Sequence, residues 1–130
     1  MKRVLVDSHV LLLLWWLADD PKLGTNARAV ISNGNNEIYV SAASSWEISI
    51  KQRTGKLTGP DNLDGIVELE RFTKLPISLV HGELAGQLPD LHKDPFDRIL
   101  IAQAQTEKLT ILTADEKFQQ YDAPVVMATG

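Results

Sequence analysis

The stretch Val4-Leu5-Val6-Asp7-Ser8-His9 determines the fold class of the chain. Its first three residues form a short apolar run typical of a strand buried on both faces, and the run ends at an acid before a helical pattern over Val10–Ala18. Two further apolar runs, Ile38–Val40 and Leu109–Leu112, alternate with helical patterns in the same way. We therefore expect an α/β fold in which helices cover both faces of a parallel sheet.

Caps, chain breakers and hydrophobic periodicity predict the remaining elements. They are a helix capped by Thr25 that reaches about Ser32, a turn at Asn33-Gly34, a helix from the Ser41–Ser45 region to about Arg53, a helix from Asp61 to near Leu75, a strand at Pro76–Leu79, a helical turn at Glu83–Leu88, a helix from Asp94-Pro95 to Thr106, a short helix at Glu116–Tyr121 and a last strand at Val125-Val126.

The composition is that of an ordinary globular domain. The 130 residues are 44% hydrophobic and 23% charged, so we expect a single domain over residues 1–130. The absence of cysteine excludes disulfides and thiolate zinc sites, and it is compatible with a cytoplasmic protein. Two basic residues precede the apolar run Leu11–Leu17, but Asp7 and His9 interrupt the pattern of a signal peptide. We expect neither a signal nor a membrane anchor.

The net charge of −4 argues against nucleic-acid binding through a broad basic face. The segment that contains Lys51, Arg53 and Lys56 is more typical of a solvated helix end. A bound divalent cation, or a partner chain rich in basic residues, would reverse the charge locally. A nucleic-acid substrate therefore requires one of these sources of positive charge.

Two acids directly follow predicted strands. Asp7 ends the first strand, and Asp115 follows Leu109–Leu112 within Thr113-Ala114-Asp115. In open α/β sheets, ligands bind beyond the carboxyl ends of the strands. A simpler role is open for both residues, because each acid could cap the helix that follows it.

Two further acids interrupt apolar helical faces. One face contains Ala43, Trp46, Glu47 and Ile50, and the other contains Asp97, Leu100, Ile101 and Ala104. The alternatives are an exposed ion pair of Glu47 with Lys51 and a first-turn position for Asp97 that the helix dipole favours. Asp94 is best explained as the N-cap of the helix that begins at Pro95.

These patterns predict one crevice that gathers four acids, Asp7, Glu47, Asp97 and Asp115. Carboxylates ~4 Å apart repel by about 4 kcal/mol per pair at an effective dielectric of ~20, so the cluster needs cations or shared protons. Hard oxygen ligands favour Mg²⁺ or Mn²⁺. The histidines His9, His81 and His92 lack the spacing of a zinc site, and we expect each to be a surface or loop residue.

Four motifs resemble those of the PIN-domain ribonucleases. They are Val4-Leu5-Val6-Asp7-Ser8-His9, Ser44-Ser45-Trp46-Glu47-Ile48, Asp94-Pro95-Phe96-Asp97-Arg98 and Leu112-Thr113-Ala114-Asp115. The resemblance spans nearly the whole chain and is greatest for the VapC-type toxins of bacterial toxin–antitoxin pairs. It implies a Rossmann-like PIN domain with Mg²⁺- or Mn²⁺-dependent endoribonuclease activity on structured RNA such as tRNA or rRNA.

The resemblance also implies the roles of particular residues. The catalytic, metal-binding acids would be Asp7, Glu47, Asp97 and Asp115, with Ser8 and Thr113 as supporting hydroxyls. Asp94 could also support the site, although capping alone explains it well. Arg98 or Lys51 could position a phosphate, although ion pairs with neighbouring acids are the simpler role for both. Attack by a metal-activated water would leave a 5′-phosphate and a 3′-hydroxyl.

The partners implied by the resemblance are a second copy of the chain and a small VapB-type antitoxin. Trp15, Trp16 and the leucines of the first helix are candidates for a homodimer face, although core packing explains most of them. No membrane partner is expected.

The main alternative is a non-catalytic PIN-fold module that binds RNA or protein, and the presence of all four acids argues against it. A phosphatase with Asp7 as its nucleophile is disfavoured, because His9 stands where the haloacid-dehalogenase motif needs a second Asp. A dinucleotide-binding protein is disfavoured because no Gly-x-Gly-x-x-Gly follows the first strand.

Overall fold

Five parallel strands form one sheet at the centre of the molecule. The structure is a computed structural model, and it describes residues 1–15, 24–57, 61–91 and 93–128. The strands are β1 (Arg3–Val6), β2 (Glu37–Ser41), β3 (Thr73–Leu75), β4 (Thr110–Thr113) and β5 (Val125–Met127). Their order in the sheet is β3-β2-β1-β4-β5, and every neighbouring pair is parallel.

Helices connect the strands and pack on both faces of the sheet. They are α1 (Ser8–Trp15), α2 (Thr25–Ser32), α3 (Ala42–Arg53), α4 (Leu63–Leu69), α5 (Leu79–Gln87) and α6 (Pro95–Glu107), with a short 3₁₀ helix at Glu116–Gln120. In the described parts of the chain, no helix is long and apolar enough to cross a membrane.

Two cores separated by the sheet explain why β1 has no polar residue in its buried part. Val4 and Val6 point into one core together with Val10 of α1, whereas Leu5 points into the other together with Leu100 of α6. All five of these side chains are fully buried. This confirms the predicted α/β fold with helices on both faces, because a strand covered on both sides must be apolar in every position.

The region between α3 and α5 differs from the sequence prediction. The N-cap of α4 is Asn62, whose side chain accepts from the Gly65 amide over 3.0 Å, and Asp61 does not have this role. The helix ends at Leu69 because Arg71 has a positive φ of 61°. The chain then pairs with β2 as the edge strand Thr73–Leu75, so the strand predicted at Pro76–Leu79 was wrong.

The start of α2 and the end of the first helix also bear on the predictions. Thr25 is the first residue of α2, and Gly24 occupies the N-cap without a side-chain hydrogen bond, so the predicted Thr25 cap was wrong. The first helix was predicted to reach Ala18, and the part of this prediction beyond Trp15 lies outside the described residues. The same holds for Trp16 and for the side chain of Trp15, on which the predicted dimer face was based.

Candidate active site

A cleft of about 310 Å³ lies beside the carboxyl ends of β1 and β4. Its lining residues are Asp7, Ser8, His9, Glu47, Lys51, Asp94, Asp97, Ala114, Asp115 and Phe118. The structure therefore brings together all four acids that the sequence patterns singled out, from two strand ends and two helices. Asp94 and Ser8 lie in the same cleft.

Asp7 is the most buried acid of the cleft, with 5% of its surface exposed. Its position is fixed by the pairing of β1 with β4, because the Asp7 amide donates to the Leu112 carbonyl over 3.1 Å. One carboxylate oxygen, Oδ1, accepts from the Val10 amide over 2.8 Å, as a helix cap would. The other, Oδ2, accepts from the Thr113 hydroxyl. Burial raises the pKa of Asp7, and these hydrogen bonds oppose the rise.

Thr113 connects the two acids that follow strands. While its hydroxyl donates to Asp7, the same oxygen accepts from the Asp115 amide over 3.0 Å. Asp115 in turn caps the short 3₁₀ helix, since its Oδ1 accepts from the Lys117 amide over 2.9 Å. The capping role and the position in the cleft are thus compatible for Asp115, as they are for Asp7.

Glu47 lies on the cleft side of α3, and its side chain is only 12% exposed. One carboxylate oxygen, Oε2, forms an ion pair with Lys51 at 3.2 Å. The other, Oε1, is buried and has no hydrogen-bond partner among the described residues. An unsatisfied buried carboxylate oxygen costs free energy, so this atom is an available acceptor or ligand.

The buried face of α3 differs from the predicted apolar face. Trp46 and Ile50 are 62% and 40% exposed, whereas Ser44 and Ile48 are buried. Glu47 therefore borders the buried face and does not interrupt a core stripe of Trp46 and Ile50. Trp46 instead packs edge-on against Phe96 of α6, with the ring centroids 5.1 Å apart.

Asp97 begins the buried face of α6, as predicted. Leu100, Ile101 and Ala104 on that face are buried, and the carboxylate lies at the cleft end. Burial raises the pKa of Asp97 to about 7, and the negative charges of Asp94, Asp7, Glu47 and Asp115 add to the rise in that order. The acids are therefore close enough to influence one another electrostatically.

Asp94 is the N-cap of α6, as predicted. Its Oδ1 accepts from the amides of Phe96 and Asp97, over 2.8 and 3.3 Å. Asp94 nevertheless lines the cleft, and among the neighbouring acids its negative charge does most to raise the pKa of Asp97. Asp94 therefore both caps α6 and adds to the negative potential of the cleft.

Arg98 is not among the residues that line the cleft. Its guanidinium donates to the carbonyl oxygens of Ala85, Leu88 and Pro89 at the end of α5, over 2.8 to 3.1 Å. An acid, Asp90, lies 3.9 Å from the guanidinium, which agrees with the simpler role of an ion pair, and a role of Arg98 in positioning a phosphate stays a prediction. Carbonyls at a helix end lack intrahelical donors, and a guanidinium can satisfy several of them at once.

Among the histidines, the prediction was wrong for His81. It is only 2% exposed, because its Nδ1 accepts from the Ser78 amide over 2.9 Å and its Nε2 lies 3.0 Å from Glu107. Together with Ser78 it forms a capping box at the start of α5. His9 is exposed at the cleft, and His92 lies outside the described residues.

Ser44 is a residue that the sequence patterns did not single out. It is fully buried on α3, and its hydroxyl oxygen accepts from the Ser8 hydroxyl over 2.9 Å. A serine two residues before Trp46 gives no helical-periodicity signal. Only the distance between α1 and α3 in the folded chain reveals the contact.

The side chains of the cleft fit a hard divalent cation in their chemistry. Their donors are carboxylate and hydroxyl oxygens, one of which, Glu47 Oε1, is buried without a partner. Within the described ranges, no three acidic or histidine side chains are arranged so that they could hold one metal ion together. Mg²⁺ usually keeps several waters and binds proteins through one or two carboxylates, so this spacing is compatible with such an ion.

The fold and the site define a class: a parallel α/β domain with an acidic cleft at the carboxyl ends of its central strands. The family model of the PIN domain matches residues 4–124. The chain therefore belongs to the PIN-domain family, as the four motifs predicted.

Comparison with known proteins shows how far this likeness extends. The chain is 37% identical over 71 residues to Ribonuclease VapC16 of Mycobacterium tuberculosis (strain ATCC 25618 / H37Rv). The aligned region covers 50% of this chain and 50% of that protein. The match thus spans about half the length of this curated relative.

Solved structures share the fold over almost the full chain. VapBC from Salmonella typhimurium, in a DNA-bound crystal structure, matches with a TM-score of 0.68 at 14% identity and covers 98% of both chains. VapBC2 from Rickettsia felis, bound to a DNA fragment from their promoter, matches with a TM-score of 0.67 at 16% identity and covers 97% of this chain and 98% of that one. FitAcB from Neisseria gonorrhoeae matches with a TM-score of 0.62 at 18% identity and covers 94% of this chain and 95% of that one.

Proposed function

We propose that the protein is an endoribonuclease that depends on Mg²⁺ or Mn²⁺ and acts as the toxin of a toxin–antitoxin pair. The observation that carries the proposal is the gathering of Asp7, Glu47, Asp97 and Asp115 around one cleft, where burial and, after it, the negative charges of the neighbouring acids raise the pKa of Asp97 to about 7. Such a cluster is costly unless it binds cations. The ribonuclease VapC16 supports RNA as the substrate.

Each side chain has a distinct part in this proposal. Asp7 is held on both of its oxygens, by the Val10 amide and the Thr113 hydroxyl, and would bind the metal in a fixed orientation. Glu47 would bind through its unpartnered Oε1. Asp97 and Asp115 complete the negative site. An ion held by these residues would supply an activated water and would stabilise the charge that develops on the scissile phosphate.

The remaining polar side chains of the cleft would support these acids. Thr113 holds Asp7 and Asp115 in one arrangement, and Ser8 contributes a hydroxyl on the cleft wall. Lys51 lines the cleft and offers positive charge that its ion pair with Glu47 partly neutralises. Because the chain carries a net charge of −4, binding of RNA would depend mainly on the metal.

The partners that we propose are structured RNA such as tRNA or rRNA, a VapB-type antitoxin and a second copy of the chain. Support for the antitoxin comes from solved structures of similar fold, which include a toxin-antitoxin complex from Klebsiella pneumoniae. The cytoplasm is the compartment in which such a substrate would be met.

The test is cleavage of total RNA by the purified protein with Mg²⁺ or Mn²⁺. We expect Asp7→Asn and Asp97→Asn each to reduce the rate by at least about 100-fold, whereas Asp122→Asn, an exposed acid outside the cleft, keeps the wild-type rate. The products should carry 5′-phosphate and 3′-hydroxyl ends. Activity that persists in both cleft variants would refute the assignment, and RNA binding without cleavage in any metal would favour the non-catalytic module.

A further inference from the structure

Two buried serine hydroxyls join the helices that begin beside the cleft. Ser8 Oγ donates to Ser44 Oγ over 2.9 Å, and the two residues are 5% and 0% exposed. Ser8 is the first residue of α1 and lines the cleft, whereas Ser44 lies in the first turn of α3 and is not among the lining residues. Ser44 therefore does not line the cleft itself but contacts a residue that does.

The hydroxyl pair connects the two parts of the chain that carry Asp7 and Glu47. Ser8 directly follows Asp7, and Ser44 lies three residues before Glu47 on α3. Residues three apart are neighbours on one side of a helix. A shift of α3 that lengthens the serine contact would therefore also change the separation of Asp7 and Glu47.

The two acids differ in how directly they are anchored. Both oxygens of Asp7 accept hydrogen bonds from its own surroundings. Glu47 has an ion pair with Lys51, whose side chain is 43% exposed, and a second oxygen without a partner. An ion pair with an exposed lysine is weak, so the place of Glu47 depends mainly on the place of α3.

We propose that Ser44 is a positioning residue, which through Ser8 fixes the separation between Asp7 and Glu47 and thereby the affinity of the cleft for a divalent cation. The inference rests on the proposed metal-dependent function and assigns a role to a residue outside the cleft. Changes in the residues that orient metal ligands typically cost 10- to 100-fold in metal affinity or activity. Replacement of Ser44 would remove one neutral hydrogen bond, so we expect the affinity for the cation to fall by about tenfold, near the lower end of that range.

The experiment measures binding of Mn²⁺ alone, by calorimetry, to the full chain without RNA. The variants are Ser44→Ala, Ser8→Ala and the double variant, with Ser49→Ala as the matched control because it is an exposed serine on the same helix. We expect the Kd for Mn²⁺ to rise about tenfold in both single variants and no further in the double variant, since each change removes the same bond. Ser49→Ala should bind Mn²⁺ as the wild type does.

A parallel cleavage assay separates positioning from loss of folded protein. In Ser44→Ala the Mn²⁺ concentration for half-maximal cleavage should rise by the same factor, and kcat at saturating Mn²⁺ should return towards the wild-type value. If Ser44→Ala does not fold, Ser44→Cys carries the test, because it keeps a side chain of similar size with a weaker hydrogen-bonding group.

Several results would overturn the inference. One is wild-type Mn²⁺ affinity in Ser44→Ala or, if that variant does not fold, in Ser44→Cys. Another is a double variant whose Kd rises by the product of the two single effects, because the hydroxyls would then act separately. Wild-type protein that neither binds Mn²⁺ nor cleaves RNA would refute the proposed function and this inference with it, whereas normal Mn²⁺ binding in the serine variants refutes the inference alone.

Discussion

Replacement of Asp97 by Asn should stabilise the metal-free protein above neutral pH. The pKa of Asp97 is about 7 in the folded chain, against an ordinary value of 3.8, because partial burial disfavours the charged carboxylate and four other acids lie nearby. Between these two pH values, the folded state keeps a proton that the unfolded state has lost. Stability from this group is therefore greatest below about pH 3.8 and is lost as the pH rises to about 7.

The size of the effect follows from the difference between the two pKa values. At 1.36 kcal/mol per pH unit, this difference corresponds to about 4 kcal/mol. Asp97 is half-buried, so screening by solvent reduces the expected loss to about 1–2 kcal/mol. A first-turn acid also interacts favourably with the helix dipole by about 0.3–1 kcal/mol, which lowers the gain from Asp97→Asn without reversing it.

The assay is urea unfolding in EDTA at pH 5 and pH 8, with wild type, Asp97→Asn and the exposed control Asp122→Asn. We expect the free energy of unfolding of Asp97→Asn, relative to wild type, to be higher at pH 8 than at pH 5 by about 1 kcal/mol, since part of the effect already exists at pH 5. The control should show no such dependence. An equal effect of Asp97→Asn at both pH values would refute the proposed electrostatic repulsion, as would a variant less stable than wild type at pH 8.

Three further changes test individual contacts. Thr113→Val removes the donor to Asp7 and should lower the free energy of unfolding by about 1–3 kcal/mol in chemical denaturation, and an unchanged midpoint would contradict the hydrogen bond. Arg98→Lys keeps the charge but loses the planar fork whose three nitrogens reach the separate carbonyls, so it should cost about 1–2 kcal/mol of stability. RNA affinity in a filter-binding assay should stay at the wild-type value, and lost RNA affinity in stable protein would favour the phosphate role. His81→Phe leaves the Ser78 amide without its acceptor and should lower the melting temperature by several degrees, roughly the effect of 1–2 kcal/mol in a small domain, and a melting temperature at or above that of wild type would rule out the buried cap.

Sequence patterns located the strand ends and the N-terminus of α6 because these signals are local. A strand buried on both faces must be apolar throughout, which made Val4–Val6 recognisable without tertiary information. Asp94 and Pro95 define a helix start by their own chemistry. The acid at Asp97 then falls on the buried face by helical geometry alone, as Leu100 and Ile101 show.

The same reasoning was wrong where long-range contacts decide the structure. Periodicity placed Trp46 and Ile50 of α3 inside, yet both are exposed and Ser44 is buried. Ser8, 36 positions away, forms the hydrogen bond that satisfies the Ser44 hydroxyl. A serine can be buried once it has a partner, and no local pattern shows that partner. His81 was misjudged for the same reason, since Glu107 lies 26 positions away.

The described cleft does not neutralise its own charge, and this links its stability to its function. Lys51 offers the closest compensation for Glu47, but it pairs with only one of the two carboxylate oxygens. The hydrogen bonds to Asp7 hold that carboxylate in place without adding a positive charge. The apolar cores on both sides of the sheet must therefore offset the repulsion in the free protein. A cation that bound the folded cleft would relieve this repulsion, so we expect the electrostatic cost of assembling the cleft to contribute to the metal affinity that we propose.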